Sequence, residues 1–198
     1  MRNDMKSIIS ETLLDGIQLR QQCLDVLDES LLHAAETMVS CLQSGGKILA
    51  CGNGGSASDA QHFVAELVNR FEVNRPALAA IAMVNDASVI TSISNDFSFD
   101  VIYARQTEAL GRKGDLLLAI STSGDSSNVV RAVEQAEKIG MGVVTLTGRD
   151  GGQLAAHSGV TVNINIDHTS TARVQEMHIT CLHILCSIID ATMFGNNE

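Results

Sequence analysis

Hydrophobic and polar residues follow two different periods along the chain. Residues 3–44 repeat apolar positions at helical spacing, with a break near Asp28–Ser30 and a stop at Gly45–Gly46, which predicts two helices. After this pair, short apolar runs alternate with amphipathic segments, which is typical of strand–helix units. Strands are predicted at 47–51, 77–83, 115–120, 142–147 and 160–166, and helices at 58–71, 128–140 and 171–194. This order predicts an α/β fold, a three-layer α/β/α sandwich with a five-stranded parallel sheet, as a single domain over residues 1–198.

The N-terminal helices, residues 1–44, form an extension that precedes the first strand. A helix pair outside a complete α/β unit has to cover its apolar face, and another copy of the chain is the simplest partner. We therefore expect this extension to serve in homo-oligomerisation. The alternative is that the pair packs back on its own sheet.

Composition and charge narrow the class of protein. Hydrophobic residues make up 45% of the chain and aromatic residues 3%, which favours an aliphatic core of buried parallel strands. The net charge of −10, without a basic cluster, argues against nucleic-acid binding. Five cysteines without a CxxC spacing indicate reduced core residues. Neither a signal peptide nor an uncharged apolar stretch long enough to span a bilayer is recognised, so we expect a cytoplasmic protein without a membrane partner.

The first predicted strand runs into a glycine-rich loop, residues 52–56 (GNGGS), which opens a helix. Extended to Ala57, the loop matches the GxGxxG/A fingerprint of dinucleotide sites, so an NAD-dependent oxidoreductase is one hypothesis. A lone match is weak, and the ribose-binding acid expected at the end of the second strand is missing, since Asp86 comes too late. The loop could instead approach another phosphorylated ligand, or be a turn that requires small residues.

A second loop, residues 121–127 (STSGDSS), also joins a strand to a helix. Hydroxyl groups beside a glycine at a helix N-terminus suit a compact tetrahedral phosphate, because hydroxyl and N–H groups donate to it and the helix dipole favours its charge. The candidate phosphate ligands are Ser121, Thr122, Ser123 and Ser126. The alternative is helix capping, which would use one of these hydroxyls and leave the others without a role.

His62 and Glu66 are four residues apart on the helix after the first loop. They share one helix face, within reach of a common metal ion or substrate, although such a pair is more often an exposed hydrogen bond. The final helix offers further polar residues, namely Gln175, Glu176, His178 and His183. At about 100° per residue the two histidines of this helix point about 140° apart, so they cannot both face one site. Spacing alone leaves open which of them does.

Five segments in order along nearly the whole chain carry a family resemblance: 51–67 (CGNGGSASDAQHFVAEL), 94–97 (SNDF), 116–130 (LLLAISTSGDSSNVV), 145–152 (TLTGRDGG) and 172–185 (ARVQEMHITCLHIL). Together they resemble the sugar isomerase (SIS) domain family, whose sheet is flavodoxin-like, and within it the phosphoheptose isomerases. The resemblance implies isomerisation of sedoheptulose 7-phosphate to D-glycero-D-manno-heptose 7-phosphate, a step that feeds heptose and lipopolysaccharide core biosynthesis.

The resemblance also implies residue roles. Substrate contacts are implied for Asn53, Gly54, Gly55, Ser56, Glu66, Asn95, Asp96, Ser121, Thr122, Ser123, Ser126 and Gln175. One Zn²⁺ per subunit is implied at His62, Glu66, Gln175 and His183, which leaves His178 as a packing residue. Gln175 and His183 are eight residues apart, about 12 Å along a helix, so one ion could be shared only by extended side chains or by two subunits. We therefore expect a homo-oligomer, a tetramer, with sites at subunit interfaces.

The expected reaction is an aldose–ketose isomerisation through an enediol-type intermediate. In this hypothesis Glu66 moves the carbon-bound proton and His183 acts on the sugar oxygens as acid or base. An alternative function within the same family is a non-catalytic regulator that binds the replication initiator protein. Members of that kind lack the acid at the position of Glu66 and the histidine at that of His183, and this chain keeps both.

Overall fold

The computed structural model describes residues 2–195, so the two ends of the predicted domain, residue 1 and residues 196–198, lie outside the described residues. The elements follow in the order α1 (Arg2–Cys23), α2 (Asp28–Gln43), β1 (Ile48–Gly52), α3 (Gly55–Val68), β2 (Ala80–Ala82), α4 (Ala87–Asp96), a 3₁₀ turn (Phe99–Val101), α5 (Ile102–Leu110), β3 (Leu116–Ser121), α6 (Ser127–Ile139), β4 (Gly142–Gly148), α7 (Gly152–Ala155), β5 (Val162–Ile166) and α8 (Thr171–Phe194).

The five strands form one parallel sheet in the order β2-β1-β3-β4-β5, which confirms the predicted sheet. β2 is shorter than its predicted apolar run and lies at an edge. The strand order reverses between β1 and β3, where Gly52 pairs with Ile120. The loops that follow these two strands therefore begin side by side at the carboxyl edge of the sheet, where ligands bind in open α/β sheets.

Helices cover both faces of the sheet, as the sandwich prediction requires. Alternate β1 residues point to opposite faces: Ile48 joins the core under α2, α3 and α8, and Leu49 joins the core under α5 and α6. Both cores are almost entirely aliphatic, with Phe63 and Tyr103 as the buried aromatic side chains of residues 2–195. The low aromatic content is thus compatible with a closely packed three-layer domain.

The two N-terminal helices differ in how they are covered. Seven residues of α2 are buried, among them Met38, and this helix packs against α8 of the same chain. α1 meets α8 from its middle onward, where the carbonyl oxygen of Thr12 accepts from Arg173 and Gly16 and Leu19 are buried. Six large apolar side chains of α1 are exposed by 53–63%: Met5, Ile8, Ile9, Leu13, Leu14 and Ile17. Packing on the chain's own body therefore accounts for α2 and leaves most of the apolar surface of α1 uncovered.

α8 qualifies the expectation that no segment could span a bilayer. At 24 residues it is long and apolar enough to cross a membrane by length and composition alone. Nearly half of its most apolar stretch is buried in the domain, and Leu182, Leu185 and Ile189 are fully enclosed in the core. This burial is typical of the central helix of a globular α/β domain.

Candidate active site

The hydroxyl-rich loop between β3 and α6 is held in a tight curl. The Ser121 hydroxyl donates to the Ser126 oxygen at 3.0 Å and lies 3.5 Å from the Ser123 oxygen, which accepts from the backbone N–H of Asp125 at 3.2 Å. Ser126 is the N-cap residue of α6, yet within residues 2–195 its side chain makes no capping hydrogen bond. The capping alternative therefore does not account for this hydroxyl, which points into the loop instead.

The segment after β4 supports the same loop from outside. Gly124 has φ +71°, and a Cβ atom there would lie 1.9 Å from the carbonyl oxygen of Gly151, so the two loops touch at glycine. The Asp125 carboxylate accepts from the backbone and side-chain N–H groups of Gln153 at 3.0 and 3.3 Å. This accounts for the TLTGRDGG motif, to which sequence reasoning assigned no specific role: it buttresses the candidate phosphate loop.

The glycine-rich loop between β1 and α3 faces the curl. Gly54 has φ +56°, and a Cβ atom on Gly55 would come within 2.6 Å of the Gln175 side-chain nitrogen, so this glycine allows α8 to approach the loop. Asn53 and Asn128 exchange two amide hydrogen bonds of 2.8 and 2.9 Å, which tie the loop to the first turn of α6. Sequence reasoning missed Asn128. The one signal for it was a polar amide on the apolar, buried face of an amphipathic helix.

A cavity of about 270 Å³ opens between the two loops and α8. Its walls contain eight of the predicted substrate residues, Asn53, Gly54, Gly55, Ser56, Ser121, Thr122, Ser126 and Gln175, together with Ile120 and Thr171, which were not predicted. Ser123 adjoins it through Ser121. A single cavity therefore brings together residues that are up to 122 positions apart in sequence, from Asn53 to Gln175.

Two larger cavities, of about 500 and 470 Å³, flank α2 rather than the loops. The larger one lies at the amino ends of β3 and β4, and its buried acid, Asp115, already accepts from Lys47 and from the backbone N–H of Arg112. Ligands of such sheets bind at the opposite, carboxyl edge. The cavity of about 270 Å³ between the two loops and α8 is therefore the better candidate.

His62, Glu66 and His183 meet where α3 packs against α8, about two helical turns along these helices from Gly55 and Gln175 of the cavity wall. The Nε2 atoms of the two histidines are 2.9 Å apart, and the Glu66 carboxylate lies 3.3 Å from His62 Nε2. Phe71 stacks on the His183 ring with centroids 5.6 Å apart. The side chains of His62 and Glu66 are 45% and 25% exposed, so this chain of three groups, called the reactive cluster below, faces solvent.

His178 lies on the other side of α8. It is fully buried, and its Nε2 atom is 2.9 Å from the carbonyl oxygen of Thr147 at the end of β4. Burial lowers its pKa to about 4, so the ring is neutral and its Nε2–H donates to that carbonyl. Within the described part of the chain Nδ1 has no hydrogen-bond partner. The structure thus puts His183, and not His178, with His62.

Asn95 and Asp96 lie apart from the cavity. They end α4, both are exposed, and the Asn95 side-chain amide donates to the Asp96 carboxylate at 2.9 Å. Neither belongs to the walls of the cavity among residues 2–195. Their predicted contact with substrate stays a prediction.

The predicted zinc ligands are only partly assembled. Glu66 and His183 both contact the Nε2 atom of His62, whereas Gln175 lies against Gly55 in the cavity. No group of three or more His, Cys, Asp or Glu residues among positions 2–195 has the arrangement of a metal site. The donors nevertheless suit zinc chemically, because two imidazole nitrogens that face each other and a carboxylate are all zinc ligands.

Asp59 is a further polar residue that sequence reasoning missed. It lies one turn before His62 on α3, and burial raises the pKa of its carboxyl to about 6, an effect that the nearby His62 partly offsets. Its Oδ2 atom is buried without a hydrogen-bond partner among the described residues. A half-buried acid with an unpartnered oxygen therefore lies on the helix that carries the reactive cluster.

Known proteins resemble the chain over almost its full length. A model of the SIS domain family matches residues 15–148. A phosphoheptose isomerase of Shewanella sediminis is 52% identical over 191 residues, which cover 96% of this chain and 97% of that protein. The structure of phosphoheptose isomerase from Neisseria gonorrhoeae superposes with a TM-score of 0.89 at 45% identity, covering 94% of this chain and 99% of that one. The structure of a phosphoheptose isomerase from Francisella tularensis superposes with a TM-score of 0.90 at 41% identity, covering 94% of this chain and 98% of that one.

Proposed function

Because the chain belongs to the SIS domain family, with phosphoheptose isomerases as near relatives, we propose that it is itself a phosphoheptose isomerase. It converts sedoheptulose 7-phosphate to D-glycero-D-manno-heptose 7-phosphate and so supplies heptose for lipopolysaccharide core biosynthesis. The observation that carries the proposal is a hydroxyl-lined cavity at a helix N-terminus together with the reactive cluster, which lies about two turns further along α3 and α8.

The cavity supplies the anchor for the phosphate. Ser121, Thr122 and Ser126 present hydroxyl groups at the N-terminus of α6, where the helix dipole favours an anion despite the acidic net charge of the chain. The phosphate does not react. Its binding energy instead fixes the sugar so that the reacting carbons lie at the reactive cluster.

The reactive cluster supplies the proton transfers. Glu66 removes a proton from C1 of the ketose, the electron pair forms the enediol double bond, and the same carboxyl returns the proton to C2. His183 donates a proton to the carbonyl oxygen and accepts one from the neighbouring hydroxyl, so that no net charge is left on the sugar. His62 lies between the two groups and holds them in one chain of contacts.

We further propose that one Zn²⁺ per subunit is bound by His62, Glu66, Gln175 and His183. The support is the donor set, three members of which already converge. When bound, zinc acts as a Lewis acid on the sugar oxygens. Removal of the ion by a chelator is a direct check of this part of the proposal.

The exposed face of α1 supports a homo-oligomer, which we propose to be a cytoplasmic tetramer with sites at its subunit interfaces. Most of the stability of a helix in a protein comes from packing of its apolar face, so the uncovered apolar residues of α1 favour a second copy as partner. Leu13→Glu is expected to reduce the sedimentation coefficient, whereas Gln18→Glu, about 140° further around α1, adds the same charge and leaves it unchanged. A wild-type protein that sediments as a monomer contradicts this assembly.

Incubation with sedoheptulose 7-phosphate and detection of the aldose tests the function. Wild-type protein with zinc is expected to form the product and to incorporate solvent deuterium at C2. Glu66→Gln should lose about 10²-fold or more in kcat with its fold retained. Glu134→Gln, an exposed residue on α6, is the matched control and should keep the wild-type rate. Absence of turnover in folded, zinc-loaded wild type would overturn the proposal and favour the non-catalytic regulator.

A further inference from the structure

Arg75 lies in the loop after α3 and makes a buried ion pair with Asp190 near the end of α8. Its Nε atom donates to Asp190 Oδ1 at 2.5 Å, and the two side chains are only 1% and 5% exposed. The guanidinium also donates to the carbonyl oxygens of Glu66 at 2.8 Å, Leu67 at 2.9 Å and Pro76 at 3.1 Å. The Arg75 side chain therefore bridges the last turn of α3 and the inner face of α8.

Two of the three carbonyl groups that Arg75 binds, those of Glu66 and Leu67, belong to the end of α3, where helical partners are lacking. The last four carbonyl groups of a helix have no donor within it, and a cation is favourable beside them. Glu66 and Leu67 are in this last turn. Arg75 therefore fixes the backbone of Glu66 itself, the residue whose carboxylate belongs to the reactive cluster.

Asp190 lies on the same face of α8 as His183. The two residues are seven positions apart, about two helical turns, and Cys186 lies between them. The buried Cys186 thiol is close enough to feel the charges of Glu66, Asp190 and Arg75, which places all four groups in the seam between α3 and α8. Asp190 Oδ1 accepts from Arg75, and Oδ2 has no hydrogen-bond partner in the described part of the chain, so Arg75 is the group that neutralises this carboxylate.

We propose that Arg75 is a positioning residue for the isomerase reaction: with Asp190 it sets the distance and rotation between α3 and α8 that bring His183 against His62 and Glu66. The inference rests on the proposed function of that cluster. An apolar pair could close the seam equally well, since replacing buried ion pairs by apolar residues is often neutral for stability. A planar guanidinium is needed where one group must meet a carboxylate and carbonyl groups in fixed directions.

The test compares Arg75→Lys and Asp190→Asn with Asp115→Asn. Lysine keeps the charge but cannot reproduce the three carbonyl contacts. Asp115 is the matched control, because its carboxylate pairs with Lys47 in a second largely buried ion pair at the amino edge of the sheet, away from the reactive cluster. Each protein is assayed well below its melting temperature for kcat, for KM and, by competition with a chelator, for Zn²⁺ affinity.

Arg75→Lys and Asp190→Asn are expected to lower kcat by about tenfold or more, since small misplacements of reacting groups have effects of that size. Their Zn²⁺ affinity should fall by about tenfold as well, as for other residues that orient metal ligands. KM for the sugar phosphate should stay within about twofold, because the phosphate is anchored on α6. Asp115→Asn should lower the melting temperature but leave kcat and Zn²⁺ affinity within about twofold of the wild type.

Two results would overturn the inference: a wild-type kcat and Zn²⁺ affinity in Arg75→Lys, or losses in Asp115→Asn equal to those in the other variants. Failure of Arg75→Lys to fold beside a folded Asp115→Asn would assign the pair to global stability and overturn it too. If the wild type itself does not turn over sedoheptulose 7-phosphate, the proposed function fails, and the Zn²⁺ affinities still decide whether Arg75 orients the cluster.

Discussion

Replacement of His178 by glutamine should change how stability depends on pH. The wild-type ring is buried and neutral, with its Nε2–H on the carbonyl oxygen of Thr147. Glutamine can direct a side-chain N–H to the same oxygen but does not titrate. The comparison therefore isolates the effect of protonating one buried imidazole on the central helix of the domain.

The magnitude follows from the two pKa values of His178. Burial lowers the folded-state pKa to about 4 from the ordinary 6.5, so below pH 6.5 the unfolded chain binds a proton that the folded chain refuses. The contribution of the neutral His178 ring to the free energy of unfolding is thus complete above pH 6.5 and is lost as the pH falls towards 4. At about 1.4 kcal/mol per pH unit, the full loss is ~3 kcal/mol, a large share of a typical ~5–15 kcal/mol.

Urea unfolding followed by circular dichroism at pH 7.0 and pH 4.5, at one protein concentration, measures the effect. His178→Gln is expected to be no more stable than the wild type at pH 7.0, and to gain ~2–3 kcal/mol relative to it at pH 4.5. His33→Gln, at an exposed position of α2, serves as control and should shift little between the two conditions. A constant difference between wild type and His178→Gln across the range would refute the account of a buried neutral imidazole.

Two further substitutions test the site in the same way. Gly55→Ala should raise KM for the sugar phosphate by about tenfold with little loss of stability, because the new methyl group meets the Gln175 side chain. Initial rates measure KM, and an unchanged KM would mean that α8 moves aside without affecting substrate binding. Asp59→Asn should stabilise the metal-free protein by ~1 kcal/mol at pH 7.5 and not at pH 4, because a carboxyl whose pKa is raised to about 6 destabilises the fold only when it is ionised. The expected gain is small because this carboxyl is partly solvated. Thermal melts of both proteins at the two pH values measure it, and coinciding melts throughout would contradict it.

The fold could be predicted from the sequence because each element carries its own period. β1 and β3 are continuous apolar runs buried along their whole length, and α6 presents Val129, Val133 and Ala136 to the core at helical spacing. Such local patterns do not depend on distant residues. β2 is shorter than predicted because only three residues of its apolar run pair with β1 at the sheet edge.

The candidate site could be predicted only as far as its residues lie in local motifs. The glycine and serine loops can be recognised from their local composition. Helical angles correctly predict that His178 and His183 face different sides of α8. Arg75 could not be found in this way. Its partner Asp190 is 115 positions away, and a lone arginine in a loop has no periodicity to reveal that it is buried. Asn128 was hidden for the same reason, since its partner lies across the sheet edge.

The two halves of the site differ in how far one chain completes them. The phosphate loop is fixed by backbone contacts between glycines and by the carboxylate of Asp125, and it needs nothing further. The reactive cluster, in contrast, faces solvent, with His62 45% exposed. Proton transfer through an enediol benefits from exclusion of water, so this half requires a cover. In the proposed oligomer a neighbouring copy of the chain, packed on the exposed face of α1, would be that cover, so that assembly and completion of the site would be linked.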